Sequence, residues 1–165
     1  IVKLGDEVSE TPEGKRKSRQ TVVAETIENN VRKVINEESQ TNPKYYERMS
    51  ILLNELIKER KQQTIDYLSY LEKIKELAKD VTSPGTNTSY PSSINSKAKQ
   101  ALYDNLEEDE DLAVELDNAI RNNKLDGWRD GGIKEKKLRI EVNKIIGDPQ
   151  KTMELMDIIK AQNEY

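Results

Sequence analysis

No cysteine and no histidine occur among the 165 residues. The first absence excludes a disulfide, a thiolate nucleophile and a cysteine-based zinc site. The second removes the side chain best suited to proton transfer near neutrality, which is also the commonest metal ligand. Phenylalanine is missing too, so the aromatic residues are seven tyrosines and Trp128. No apolar run exceeds three residues, as at Ile51–Leu53, which is far too short for a transmembrane helix or a signal-peptide core. A soluble, cytoplasmic protein with no membrane partner is the expectation. The chain begins Ile-Val-Lys-Leu-Gly rather than with Met, which suggests a piece of something longer.

What is present is charge and helix-forming residues. Apolar residues make up 34% and charged residues 35%, so the core must be lean and drawn from helical stripes. With few glycines and prolines, and with Leu, Glu, Lys, Ile and Asn dominant, an all-α domain is favoured over a sheet. The length suits one domain, able to bury about 70% of its unfolded surface. Net charge is −4 and the isoelectric point is near 5.2, so the whole is not a polyanion binder. Charge is nonetheless blocked. Lys15, Arg16, Lys17 and Arg19 are basic, and Asp104–Asp117 holds eight acids and no base. Arg129, Lys134, Lys136, Lys137, Arg139 and Lys144 form a second basic stretch. Such blocks are usually solvated helix faces.

Along the chain, residues 1–17 show no period and read as a linker, with a helical domain over 18–165. A first helix from about Arg19 to Glu37 carries Val23, Ile27, Val31, Val34 and Ile35. Asn42 can cap a second helix with Pro43 at its first position. Its stripe is Tyr45, Tyr46, Met49, Leu52, Leu53, Leu56 and Ile57. Asp66 can cap a third, with Tyr67, Tyr70, Leu71, Ile74, Leu77, Ala78 and Val81. The short connection makes these two an antiparallel hairpin. A Ser-, Thr-, Pro- and Asn-rich loop over 82–95 divides the domain into two helical halves, with Tyr90-Pro91 as its natural pin.

Ser96 then caps a fourth helix with Ala98, Ala101, Leu102 and Leu106. A fifth opens on Asp109, Glu110 and Asp111, acids that suit a helix N-terminus. The turn Leu125–Gly132 precedes a sixth, from about Ile133 to Ile146, bearing Leu138, Val142, Ile145 and Ile146. Gly147 stops it, and Asp148-Pro149 starts a seventh with Met153, Leu155, Met156 and Ile159. The expected fold is an irregular bundle of about seven helices around the hairpin. Leu52, Leu56, Leu71, Ile74, Leu102, Leu116 and Ile145 are its predicted core.

Four phrases follow in order: AETIENNVRKVINEE (Ala24–Glu38), NPKYYERMSILLNELIKERK (Asn42–Lys61), YPSSINSKAKQALYDNL (Tyr90–Leu106) and GWRDGGIKEKK (Gly127–Lys137). As an ordered set they resemble the C-terminal helical domain of the R (restriction and motor) subunit of type I restriction–modification enzymes, over roughly Ala24–Tyr165. The resemblance implies an upstream nuclease domain and two motor lobes using ATP and magnesium. It also implies a non-catalytic terminal domain that docks the R subunit onto the methyltransferase and specificity core. DNA would be reached through the parent complex.

The residues themselves offer little chemistry. The Gly14-Lys15 pair lacks the preceding glycine and the following Ser or Thr of a phosphate-binding loop. Glu13-Gly14-Lys15 and Glu135-Lys136-Lys137 match the short half of a restriction-type nuclease motif, in linker or helical text rather than on strands. Glu107–Asp111 lacks the glycine turn of a calcium loop. No catalytic, cofactor-binding or metal residue is therefore expected. Tyr45-Tyr46 beside Lys44 and Arg48 would suit base stacking, or the rings pack inward. Trp128, in a glycine-flanked turn, is either a plug over helix ends or an exposed anchor for a partner. Trp128, Arg129, Lys134, Lys136 and Lys137 form the candidate partner-binding set. The leading expectation is a docking domain, and the alternative is an accessory domain that contacts DNA through Arg129–Lys144.

Overall fold

Thr11 and Pro12 begin the first helix. The Thr11 hydroxyl accepts from the Gly14 backbone N–H at 3.1 Å, and Pro12 occupies the first turn, where its missing N–H costs nothing. The computed structural model describes residues 11–87 and 89–165. Among these there are seven α-helices and no strand. They are α1 (Pro12–Glu38), α2 (Pro43–Lys61), α3 (Tyr67–Thr82), α4 (Lys97–Asn105), α5 (Glu110–Asn123), α6 (Ile133–Ile146) and α7 (Pro149–Lys160). A single 3-10 turn, Trp128–Asp130, precedes α6.

The linker expectation for residues 1–17 is corrected from Pro12 onward, since Pro12–Lys17 are helical; residues 1–10 lie outside the described residues. The first turns of α1 are almost wholly exposed, so no apolar stripe marks them, and only the Thr-Pro cap signals their helicity. The buried face of α1 is also rotated from the expected one. Ala24, Glu28, Val31 and Ile35 face inward, whereas Val23 is exposed. Small Ala24 lets the helix approach closely, and Glu28 is drawn inward by its partners.

Helices α1, α2 and α3 form one half around Tyr45, Tyr46, Met49, Leu53, Leu56, Tyr70, Ile74, Leu77 and Val81. Helices α2 and α3 are antiparallel. Tyr45 at the start of α2 donates its hydroxyl to the Asp80 carbonyl at 2.7 Å near the end of α3, while Lys73 pairs with Glu59 at the other end. Asn42 and Asp66 cap the two helices as expected. Leu52 is the exception in the predicted core. It is 46% exposed, because Leu53 one position on fills the inner face. Leu71 and Ile145 are partly buried against the cores, and the remaining four predicted residues are buried.

Helices α4–α7 enclose the second core, built on Ile94, Leu102, Leu116, Ile120, Trp128, Leu138, Val142, Leu155 and Ile159. Side chains of Ser96, Asp109 and Asp148 cap α4, α5 and α7. The loop ahead of α4 is pinned by Tyr90, whose ring meets Tyr103 edge-on at 5.7 Å, and by buried Ile94.

Three buried carboxylates hold these parts in register, each accepting from one tyrosine hydroxyl and one arginine. Glu28 on α1 takes a two-pronged contact from Arg60 on α2 (2.6 and 3.1 Å) and the Tyr70 hydroxyl on α3 (3.0 Å). Asp104 on α4 accepts from Tyr90 (2.6 Å), Asn42 (2.8 Å) and Arg48 (3.0 Å), so it joins the two halves. Asp117 on α5 accepts from Arg121 (3.0 Å) and the hydroxyl of Tyr165 (2.5 Å), which ties down the C-terminus. A buried charge is tolerated only when its lone pairs are matched in this way. Burial, reinforced by the neighbouring carboxylate, pushes the Tyr70, Tyr90 and Tyr165 hydroxyls well above the usual tyrosine range. Gln162 closes the seam further, donating to the Thr41 carbonyl at 2.6 Å and the Ile158 carbonyl at 2.9 Å.

Candidate docking face on the sixth helix

Helix α6 is launched from a glycine turn. Gly127, Gly131 and Gly132 all have positive φ (72°, 86° and 74°), a region that a Cβ makes costly. This turn folds Trp128 inward, where it is 3% exposed within the second core. Of the two expectations for Trp128 the structure shows the plug. A ring with so little free surface has no face for a partner, so Trp128 does not belong to a partner-binding set. Its indole Nε1 is buried with no hydrogen-bond acceptor among the described residues.

Arg129 is occupied as well. Its guanidinium lies 4.9 Å from the Trp128 ring centroid and donates to the carbonyls of Lys160 (3.2 Å) and Gln162 (2.5 Å). A cation there also suits the negative end of α7. Lys134 donates to the Asp126 carbonyl at 2.6 Å, which staples the turn. Glu135 pairs with Lys160 at 2.5 Å. Trp128, Arg129 and Lys134 thus work within the domain.

Lys136 and Lys137 differ. Both are exposed and form no ion pair among the described residues. On a helix of 3.6 residues per turn, Ile133, Lys136, Lys137, Ile140 and Lys144 share one face, opposite the buried Leu138 and Val142. Ile133 and Ile140 are 74% and 46% exposed, and Met153 of α7 (51%) lies beside Ile140 in a shallow groove. The structure therefore brings together two of the five sequence candidates with Ile133 and Ile140, which sequence reasoning passed over, and with Met153, which was expected on the inner stripe of α7 and is instead half-exposed. Their signal was legible. Once Leu138, Val142, Ile145 and Ile146 are assigned to the core, Ile133 and Ile140 fall outside that stripe.

The other candidates resolve plainly. Tyr45 and Tyr46 are buried, edge-to-face at 5.2 Å, and offer no stacking surface. Burial, with the nearby Glu38 charge, pushes the Tyr46 hydroxyl up to about 12. Among the described residues no group of three or more acidic side chains is placed to hold a metal ion. No helix among them is long and apolar enough to cross a membrane. Comparison with protein-family models, with curated proteins and with solved structures finds no match.

Proposed function

We propose that this chain is a helical docking module whose contact surface is the outer face of α6. The observation that carries the reading is the position of Ile133 and Ile140, exposed between Lys136, Lys137 and Lys144. An apolar centre inside a charged rim is the anatomy of a protein–protein contact. A phosphate backbone rewards the lysines but leaves the isoleucines with nothing to bury against. The partner is then a protein surface with an apolar centre and acidic border.

The ordered phrases that resemble the R subunit of type I restriction enzymes supply a context for such a module. In that reading the domain is the C-terminal helical part of a cytoplasmic R subunit, with no catalytic or cofactor-binding role of its own. It joins an ATP- and magnesium-dependent translocase and nuclease to the methyltransferase and specificity core. The rigid polar seam at Asp104 supports this role, since a docking element transmits force only if its halves hold their register.

The test is the affinity of the chain for the methyltransferase–specificity core, by calorimetry. Ile133→Asp with Ile140→Asp should weaken association by at least tenfold while leaving the helical circular dichroism intact, because the apolar centre is lost. Unchanged affinity in that folded variant would refute the face assignment. The second reading, contact with DNA, rests on Lys136 and Lys137, which have no ion pair among the described residues. It predicts salt-sensitive duplex binding whose salt slope falls in Lys136→Glu with Lys137→Glu, and that is the result which would displace docking.

A further inference from the structure

A second surface of opposite character lies on the other half of the molecule. Between α2 and α3 runs an open groove of about 470 Å³. Its floor is Leu56 and Leu77, and Leu52 stands half-exposed beside them. Its border carries five carboxylates, on Glu55, Glu59, Glu72, Glu76 and Asp80, against the single ammonium of Lys73. That ammonium is already held by Glu59 at 3.1 Å. Glu55 and Glu72 form no ion pair among the described residues, whereas Glu76 is held by Lys79 at 3.0 Å. The groove thus combines an apolar strip with the negative charge of Glu55 and Glu72, unmatched by an ion pair among the described residues.

The complement of that groove is on the same chain. The outer face of α6 presents Ile133 and Ile140 between Lys136, Lys137 and Lys144. Lengths agree. The groove is lined by α2 from Leu52 to Glu59 and by α3 from Glu72 to Asp80, about 10–12 Å of helix, and Ile133 to Ile140 spans about 10 Å. Two isoleucines one heptad apart with flanking lysines are the pattern of a helix that lays its apolar face into a groove. We infer that the α6 face of one copy seats in the α2–α3 groove of a second copy, so that the chain associates head to tail through apolar contact bordered by Lys–Glu pairs.

Two different surfaces meet in such a contact. It is heterologous, and association continues beyond a dimer unless the rotation closes a ring. One groove and one helix face make a small interface, so the contact is weak and reversible. It also covers the face assigned above to partner docking, so a partner and a second copy compete for α6. The inference stands on the two surfaces alone and is tested with no partner present.

Sedimentation equilibrium of the full chain decides it, over concentrations from about 10 μM to 1 mM at low and high salt, since exposed charge pairs are screened. The weight-average mass should rise with concentration beyond twice the 19.0 kDa of one chain, and it should fall as salt is added. Glu72→Lys with Glu76→Lys leaves the groove with as many ammoniums as carboxylates and so cancels its charge, and Lys136→Glu with Lys137→Glu reverses the ridge. All four positions are exposed, so circular dichroism should show both variants folded. Each variant alone should lose association at least tenfold. An equimolar mixture of the two should regain a one-to-one pair, because the intact basic ridge of the first meets the intact acidic groove of the second. A chain that stays monomeric throughout overturns the inference. So does a dimer indifferent to both variants, or a mixture that fails to recover.

Discussion

Replacing Asp104 with alanine tests whether the seam between the halves is set by one buried carboxylate. Asp104 is 5% exposed and accepts from Tyr90, Asn42 and Arg48 at 2.6–3.0 Å. Its removal does not affect the three donors equally. The Arg48 side chain is 41% exposed and also faces Glu108 at 3.5 Å, so its charge re-solvates at little cost. Asn42 is 7% exposed and the Tyr90 hydroxyl is partly buried, so both keep donors with poor access to water. Each stranded donor costs about 1–3 kcal/mol, and hydrogen bonds to a charged acceptor are worth about 1.5–3 kcal/mol each. A total loss of about 4 kcal/mol is expected from the two stranded donors together with the lost hydrogen bonds to a charged acceptor. For a domain of this size that lowers the melting temperature by about 12 °C.

Urea denaturation followed by circular dichroism measures the loss. Tyr90→Phe, made alone and combined with Asp104→Ala, isolates the Tyr90–Asp104 contact, which should show a coupling of about 1–2 kcal/mol. A loss below about 1 kcal/mol, or strict additivity of the two changes, would refute the view that Asp104 sets the seam. Separate unfolding of the two halves in Asp104→Ala would strengthen it, because each half has its own core.

The raised hydroxyls of Tyr46, Tyr70, Tyr90 and Tyr165 make stability fall at alkaline pH. Their contribution is fully present below the unfolded tyrosine value near 10 and is lost as pH climbs toward their folded values, by about 1.4 kcal/mol per pH unit for each. Tyr165→Phe should flatten that slope by one such increment in urea melts between about pH 10 and 12; an unchanged slope would show that its hydroxyl is not protected. Trp128→Ala should cost about 3–5 kcal/mol of stability as a buried aromatic, and a variant as stable as the parent would contradict its role as a plug. Leu53→Ala should cost about 2–5 kcal/mol and Leu52→Ala less than about 1 kcal/mol, and reversal of that order in thermal melts would contradict the inward face assigned to α2.

Reading periodicity captured the elements well where a helix has one buried stripe and a polar cap. Asn42, Asp66, Ser96, Asp109 and Asp148 all cap the helices they precede, and Gly147 closes α6 in the left-handed conformation. Periodicity failed where burial is one-sided or polar. The first turns of α1 bury almost nothing, so nothing apolar marked them. Leu52 and Leu53 are one position apart, and only the packing of α1 and α3 decides which of them faces the core.

The candidate site divides in the same way. Lys136 and Lys137 read as surface in the sequence and are surface in the structure. Arg129 and Lys134 read as equally available and Trp128 as either plug or anchor, and their places became visible only when the turn brought them against α7 and Asp126. Sequence alone determined the all-helical class, the caps and the exclusion of histidine and cysteine chemistry from these 165 residues, since these follow from local backbone preference and from which atoms the chain owns. Tertiary structure decided that Glu28, Asp104 and Asp117 are buried, and that Ile133 and Ile140 stand outside while Trp128 turns in. The burial of the three carboxylates depends on hydrogen bonds between Asp104 and Asn42, Asp117 and Tyr165, and Glu28 and Arg60, residues distant in sequence. A pattern read over a few helical turns carries no information about which distant donor will arrive.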